Sequence, residues 1–179
     1  MFRHSNRFWQ FLLQASVSLV LARYGLTEGV LVVDDSEKKR AKQTKRIYKA
    51  HTMKDKKSGG FINGQSFVLL LLVTPKVTIP VGVEFYMPDP QLTAWKKEDN
   101  RLKKRGIPKK KRPAKPKQNP NYPTILEIAL GLLHAFHTAF PQLSIHCVLV
   151  DNLYGTQAFL DRASAILGGL ITPPRLRNG

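Results

Sequence analysis

Four short runs of β-branched and apolar residues constrain the fold of this chain most, because each has the length of a strand. They are Val30–Val33, Ser66–Val73, Val77–Tyr86 and Leu143–Val150. None approaches the roughly 18–20 uninterrupted apolar residues that a membrane-spanning helix requires. The short gap at Pro75 predicts an antiparallel hairpin of the second and third runs. Pro80 indicates an edge strand or a bulge, because proline cannot donate to a ladder.

The N-terminal segment has two interpretations. Arg3 and Arg7 precede the stretch Phe8–Ala22, an order that imitates a signal peptide or a membrane anchor. Polar residues interrupt this stretch, and its apolar residues follow helical spacing. We therefore predict an amphipathic helix, whose apolar face consists of Phe8, Phe11, Leu12, Ala15 and Leu19.

Two more helices are predicted around the fourth strand. Thr124 is a suitable N-cap with Glu127 at the capping-box position, and the second helix covers Gly155–Leu167. Gly168–Thr172 is expected to open a fifth strand. The inward side chains are Ile125, Ile128, Ala129, Leu132, Leu133 and Phe136 in the first helix, and Phe159, Leu160, Ala163 and Ile166 in the second.

The order of these elements is helix, three strands, helix, strand, helix, strand. Three consecutive strands can form an antiparallel meander, and crossover helices can add parallel strands to it. We therefore predict an α/β fold with a ribonuclease-H-like mixed sheet and flanking helices, incomplete at its C-terminal side. The expected organisation is an N-terminal helical segment, residues 1–28, followed by one domain, residues 29–179.

Basic charge is concentrated in two segments. The chain has 29 Lys and Arg against 12 Asp and Glu, a net charge of +17, and most of it lies in residues 37–57 and 96–117. Concentrated cations favour a polyanionic partner, because each phosphate contact releases counterions. Solvated loops, a membrane surface and RNA are the alternatives. The predicted DNA contacts are Lys38, Lys39, Arg40, Lys42, Lys45, Arg46, Lys109, Lys110, Lys111 and Arg112.

Both basic segments are predicted to be irregular. Residues 36–63 are polar and contain Gly59-Gly60, which is typical of a long loop. Residues 96–123 are rich in Lys, Arg and Pro, which predicts an exposed and mobile excursion from the domain. Trp95 at its start either stacks on an unpaired base or packs within the loop.

Other reactive side chains have plainer explanations. Cys147 is the only cysteine, so it cannot form an internal disulfide, and it is expected to pack as a small hydrophobe in a reducing compartment. His134 and His137 have a spacing that suits a metal on a helix, but no further His or Cys completes a zinc site.

Two acidic positions that follow apolar strands are the strongest chemical signal. Asp34-Asp35 follow Val30–Val33, and Asp151 follows Val148–Val150. Acids at such positions are held rigidly by the strand backbone, and Mg²⁺ usually takes one or two carboxylates from a protein. If the two strands are neighbours, Asp35 and Asp151 can share one ion. The alternative is that these acids are ordinary turn residues.

These motifs resemble the DDE transposases of bacterial insertion sequences. Val32–Ser36 is similar to the first-acid motif of that family, with Ser36 where Thr is usual, and Val148–Gly155 is similar to the second-acid motif. Lys54–Gly64 resembles the polar loop before the second strand of the family. Trp95–Pro123 resembles its Lys/Pro-rich connection. The resemblance covers roughly residues 21–179.

The resemblance implies that Asp35 and Asp151 are the first two metal-binding and catalytic acids, with Mg²⁺ or Mn²⁺ as cofactor. It implies DNA partners, namely transposon ends and a target, with no membrane involved. The third acid of the family, a Glu on a later helix, has no counterpart after Asp161, so the chain resembles a C-terminally truncated copy.

A complete enzyme of this family would cut one strand and then join the freed 3′-hydroxyl to target DNA, and a homodimer is its expected assembly. The expected location is the cytoplasm, at the nucleoid. The alternatives are a non-catalytic basic DNA-binding remnant and a basic RNA-associated protein.

Overall fold

The computed structural model describes residues 6–41, 47–55 and 57–168. In chain order the elements are α1 (Asn6–Tyr24), β1 (Glu28–Lys39), β2 (His51–Lys54), β3 (Phe61–Val73), β4 (Thr78–Tyr86), α2 (Pro90–Lys104), α3 (Ile125–Ala139), β5 (Ser144–Val150) and α4 (Gln157–Leu167). Short 3₁₀ turns occupy Lys109–Lys111 and Asn152–Tyr154.

The strands form one mixed sheet in the order β2-β3-β1-β5, with β4 also paired to β3. β1 and β5 are parallel, and β2 and β3 are antiparallel. β4 returns along β3 after a turn in which the Thr74 N–H donates to the Val77 carbonyl at 3.0 Å. The predicted meander, its parallel extension and the α/β ribonuclease-H-like fold class are therefore confirmed.

Alternating burial along the strands explains which sheet residues form the core. Leu31 and Val33 of β1 are buried, and Val148 and Val150 of β5 continue the same buried face. Successive strand side chains point to opposite faces, so one face of these strands packs inward. The helices contribute further buried residues: Ile128, Ala129, Leu130, Leu133 and Phe136 in α3, and Phe159 and Ala163 in α4.

The described residues fall into two compact units. One unit, here called the acidic-site unit, is drawn from residues 1–37, 66–85 and 125–179. The other, here called the basic unit, is drawn from residues 38–65 and 86–124. The basic unit therefore contains β2, α2 and most of both basic segments.

The helix predicted near the N-terminus is confirmed as α1, but its predicted apolar face is wrong. Leu19 is 73% exposed and Phe11 and Leu12 are also exposed, whereas Val17 is only 2% exposed and Leu21 is buried. This helix is apolar on most sides, so helical periodicity alone cannot select the stripe that packs inward. Among the described residues, none of the helices has the length and hydropathy needed to cross a membrane.

The long loop predicted for residues 36–63 is wrong over much of its length. β1 continues to Lys39, β2 occupies His51–Lys54, and β3 already begins at Phe61. These strand segments are mostly polar, and they include exposed residues, such as 37–39, as well as the buried Met53 and Gln65. Their backbone groups are satisfied by pairing, as in the bond from the Arg40 N–H to the Asn63 carbonyl at 2.8 Å.

The irregular conformation predicted for residues 96–104 is also wrong, since they form the second half of α2. The Asp89 side chain caps this helix by accepting from the N–H groups of Gln91 and Leu92, and Pro90 stands in the first turn. The segment after α2 is bonded to it: the Trp95 indole donates to the Pro113 carbonyl at 2.9 Å. This bond gives Trp95 the packing role that the sequence left open.

The fifth strand predicted at Gly168–Thr172 falls outside the described residues except for Gly168. That glycine ends α4 in the left-handed conformation, with φ of 74°. Glycine adopts this conformation without the steric cost that other residues incur.

Candidate functional site

The three acids singled out in the sequence lie where β1 and β5 separate. These strands pair in parallel up to Val33 beside Val150. One step further along the same register, Asp34 comes beside Asp151, and Asp35 follows. β5 ends at Val150, so Asp151 lies after its strand as predicted. Asp34 and Asp35 instead lie within β1, which continues beyond them.

Strand alternation separates the two neighbouring acids on β1. Asp35 is half-buried and lies on the face that carries Leu31 and Val33, whereas Asp34 is exposed on the opposite face. The backbone of both residues is held in the sheet, so neither carboxylate position depends on a loop.

Asp151 is positioned by the turn that follows β5. It is the N-cap of the 3₁₀ turn Asn152–Tyr154, and its Oδ1 accepts from the Asn152 N–H at 2.6 Å. The Tyr154 N–H donates to the Asp151 carbonyl at 2.9 Å. A carboxylate has about four lone-pair sites, so this exposed side chain retains acceptor capacity for a ligand.

Tyr154 is a buried residue of the turn that follows Asp151. Its side chain is fully buried, its ring packs on Phe159 at a centroid distance of 5.4 Å, and its hydroxyl has no hydrogen-bond partner. Burial raises the pKa of this hydroxyl, and the negative charges of Asp35, Asp34 and Asp151 raise it further. The Tyr154 ring therefore anchors, by its burial, the turn whose first residue is Asp151.

The donor chemistry at this point suits a divalent cation. Mg²⁺ takes carboxylate oxygens and usually needs only one or two from the protein, and Asp35 with Asp151 provide that number. In the part of the chain that the structure describes, no group of three or more His, Cys, Asp and Glu side chains is arranged to hold a metal ion. The acids fit a site that is completed by water and substrate oxygens.

The predicted DNA contacts differ in what surrounds them. Lys38 and Lys109–Lys111 are exposed. Lys39 forms an ion pair with Asp55 at 2.9 Å, and Arg40 donates to Gln65 at 2.8 Å. Lys42, Lys45 and Arg46 lie outside the described residues.

Arg112 differs from the other predicted contacts because it is half-buried. Its guanidinium forms an ion pair with Asp99 at 2.9 Å. This pair ties the segment after α2 to the helix, which indicates a structural role for Arg112.

The net charge of the chain resides in the basic unit. Its residue ranges contain 22 Lys and Arg against four Asp and Glu, a formal charge of +18. The acidic-site unit contains seven basic and eight acidic residues, a formal charge of −1. The sequence showed two basic segments, and the fold assigns both to one compact unit.

The sequence patterns did not identify Tyr154 as a residue beside the acids. The available signal was its position three residues after Asp151, in the turn that leads to α4. The histidine pair proved uninformative: His134 and His137 are exposed on α3, and neither belongs to a metal-binding group among the described residues.

Comparison with known proteins agrees with this geometry. A family model described as DDE superfamily endonuclease matches residues 1–171. No curated protein and no solved structure matches the chain.

Proposed function

The chain belongs to the DDE superfamily endonucleases, and we propose that it acts as an insertion-sequence transposase that cuts and joins DNA strands at transposon ends. The family assignment confirms the resemblance to DDE transposases and supports a transposase-like nuclease function on DNA. One structural observation supports the finer proposal: β1, which carries Asp35, pairs in parallel with β5, and Asp151 directly follows β5.

Asp35 and Asp151 are the proposed metal ligands. Nucleases of this superfamily generally use divalent metals, and Mg²⁺ or Mn²⁺ at these acids would activate water and stabilise the leaving oxygen of a phosphodiester. The protein contributes rigid placement: the β1 backbone holds Asp35, and the Asn152 N–H orients Asp151. Asp34, beside Asp151 in register, is the alternative first ligand.

The basic unit is proposed to bind the DNA backbone. Lysine-rich surfaces neutralise phosphates without reading base edges, and the exposed lysines of this unit include Lys38 and Lys109–Lys111. Such an enzyme would work at the nucleoid, and we propose a homodimer so that two transposon ends can be held together.

The test is nicking of supercoiled plasmid DNA in the presence of Mg²⁺ or Mn²⁺. Asp35→Ala and Asp151→Ala are expected to abolish nicking while retaining DNA binding. Asp161→Ala is the matched control, because this exposed acid lies on α4 and accepts a hydrogen bond from Gln157. Thermal melts establish that each variant is folded. Undiminished nicking by both site variants would refute the assignment of these acids.

A second candidate function is non-catalytic DNA binding. The observation that favours it is the basic unit, whose residue ranges have a formal charge of +18, because such charge binds the DNA backbone whether or not the acids hold a metal. This candidate predicts salt-sensitive DNA binding without metal-dependent nicking, and binding that is unchanged by Asp35→Ala or Asp151→Ala. The plasmid assay, run beside a binding assay over a range of salt concentrations, separates the two functions.

A further inference from the structure

The basic unit contains a cavity that the acid site does not use. Its volume is about 590 Å³, within the roughly 300–1,000 Å³ range of small-ligand pockets. One wall is the ring of Phe61, the first residue of β3, and the other wall is one face of α2. We call it the Phe61 cavity.

The backbone of Phe61 is held by strand pairing, although its side chain is 77% exposed. Its backbone pairs with Lys54 of β2 in the antiparallel ladder. The turn between these strands is closed by bonds from the Asp55 N–H to the Gly60 carbonyl at 2.8 Å and from the Ser58 hydroxyl to the Asp55 carboxylate at 2.8 Å. The hairpin therefore fixes the backbone from which a large aromatic ring projects into solvent, and core packing does not account for that ring.

The opposite wall has three basic side chains against one acidic side chain, Glu98, and its remaining residues are Ala94 and Asn100. Ala94, Lys97, Arg101 and Lys104 follow helical spacing along α2, so they share one face of the helix. The small side chain of Ala94 leaves room opposite the ring. The Arg101 guanidinium donates two hydrogen bonds to Glu98, at 2.7 and 2.8 Å, and is thereby oriented.

We propose that the Phe61 cavity binds one unstacked base of single-stranded DNA. Bases stack on exposed aromatic rings in a sequence-tolerant way, and such sites track the backbone with cations. Phe61 supplies the ring, and Lys97 and Lys104 supply charges for the flanking phosphates. A paired base in a duplex is stacked on both faces, so it cannot offer a face to Phe61. This inference rests on the proposed function only in taking DNA as the partner.

The experiment compares two single strands that carry the same phosphate charge. Fluorescence anisotropy measures binding of the full chain to a short oligodeoxythymidine and to an abasic strand of equal length. The wild-type protein is expected to prefer the strand that carries bases. Phe61→Ala is expected to weaken binding of that strand by at least about fivefold, given the usual contribution of one stacked base, and to leave abasic binding unchanged. Phe61→Trp, which keeps a stacking ring, is expected to retain the preference.

Two matched variants separate stacking from charge and from general hydrophobicity. Phe11→Ala removes an aromatic ring that is similarly exposed, on α1 of the acidic-site unit, and is expected to change neither affinity. Lys97→Gln is expected to weaken binding of both strands alike. Equal affinity of the wild-type protein for the two strands would overturn the proposal. So would an unchanged preference in a folded Phe61→Ala protein, or a Phe61-dependent preference found only for oligouridine RNA.

The result of this binding experiment does not depend on whether Asp35 and Asp151 support DNA cleavage. If the protein fails to nick plasmid DNA but shows the Phe61-dependent preference, the transposase proposal fails and the base site stands. If nicking depends on Asp35 and Asp151 but the preference is absent, the reverse holds.

Discussion

Replacing Tyr154 by Phe should stabilise the protein. The ring packs on Phe159 and is fully buried, and its hydroxyl has no hydrogen-bond partner. A buried polar group without a partner costs about 1–3 kcal/mol, because its bonds to water are lost and not replaced. Phenylalanine keeps the ring and removes the hydroxyl. The free energy of unfolding should therefore rise by about 1–3 kcal/mol.

The gain should be visible in both thermal and urea denaturation. For a chain of this length each kcal/mol shifts Tm by about 2–4 °C, so Tyr154→Phe should raise Tm by roughly 2–12 °C. The measurement is made without divalent metal, so that no bound ion contributes to stability. Tyr24→Phe is the control: Tyr24 is 47% exposed, and surface substitutions usually change stability by no more than about 0.5 kcal/mol.

A loss of stability in Tyr154→Phe would refute this reasoning. It would mean that the hydroxyl donates a hydrogen bond, most simply to one of the carboxylates whose charge raises its pKa. The raised pKa keeps the hydroxyl protonated at neutral pH, so donation is the polar interaction open to it there. A loss of about 1 kcal/mol would match one ordinary hydrogen bond.

Two further substitutions test the basic unit. Asp89→Ala should lower the free energy of unfolding by about 1 kcal/mol in urea denaturation, because the α2 cap is lost, whereas Asp89→Asn should retain most of the cap; equal stability of all three proteins would contradict the capping role. The Lys39 ammonium, then Ser58 and Lys57, lower the pKa of Asp55 from 3.8 to about 2. The stabilisation by this charge is present above about pH 4 and is lost as the pH falls through about 2. Asp55→Asn should therefore lower Tm near neutral pH but not at about pH 2, and a Tm difference independent of pH would refute the assignment.

The sequence predicted correctly those elements whose buried residues form an apolar run or an apolar stripe in the sequence. Ser66–Val73 is apolar because β3 lies inside the sheet, and it coincides with the apolar part of that strand. α3 was recognised because the predicted residues Ile128, Ala129, Leu133 and Phe136 face the core. The parallel pairing of β1 with β5 followed from the crossover, and it brought Asp34 and Asp35 near Asp151.

The elements that were missed are stabilised by contacts that hydrophobic patterns do not record. α2 has no buried residue, so its signals were the Asp89-Pro90 start and a run of good helix formers rather than an apolar stripe. β2 is four residues long and holds its place by pairing with β3. The face that α1 packs inward depends on its tertiary neighbours, which periodicity cannot supply.

The division of charge between the two units has a physical consequence for the acid site. A carboxylate that binds a metal must be ionised and not committed to a nearby cation, whereas DNA binding requires many cations. Three of the four acids of the basic unit are committed in this way: Asp55 pairs with Lys39, Asp99 with Arg112, and Glu98 with Arg101. The acidic-site unit has a formal charge of −1, so few cations are available there to compete with a metal ion for Asp151. The charge of the basic segments therefore leaves the residue ranges that carry the proposed metal ligands nearly neutral, although the whole chain has a net charge of +17.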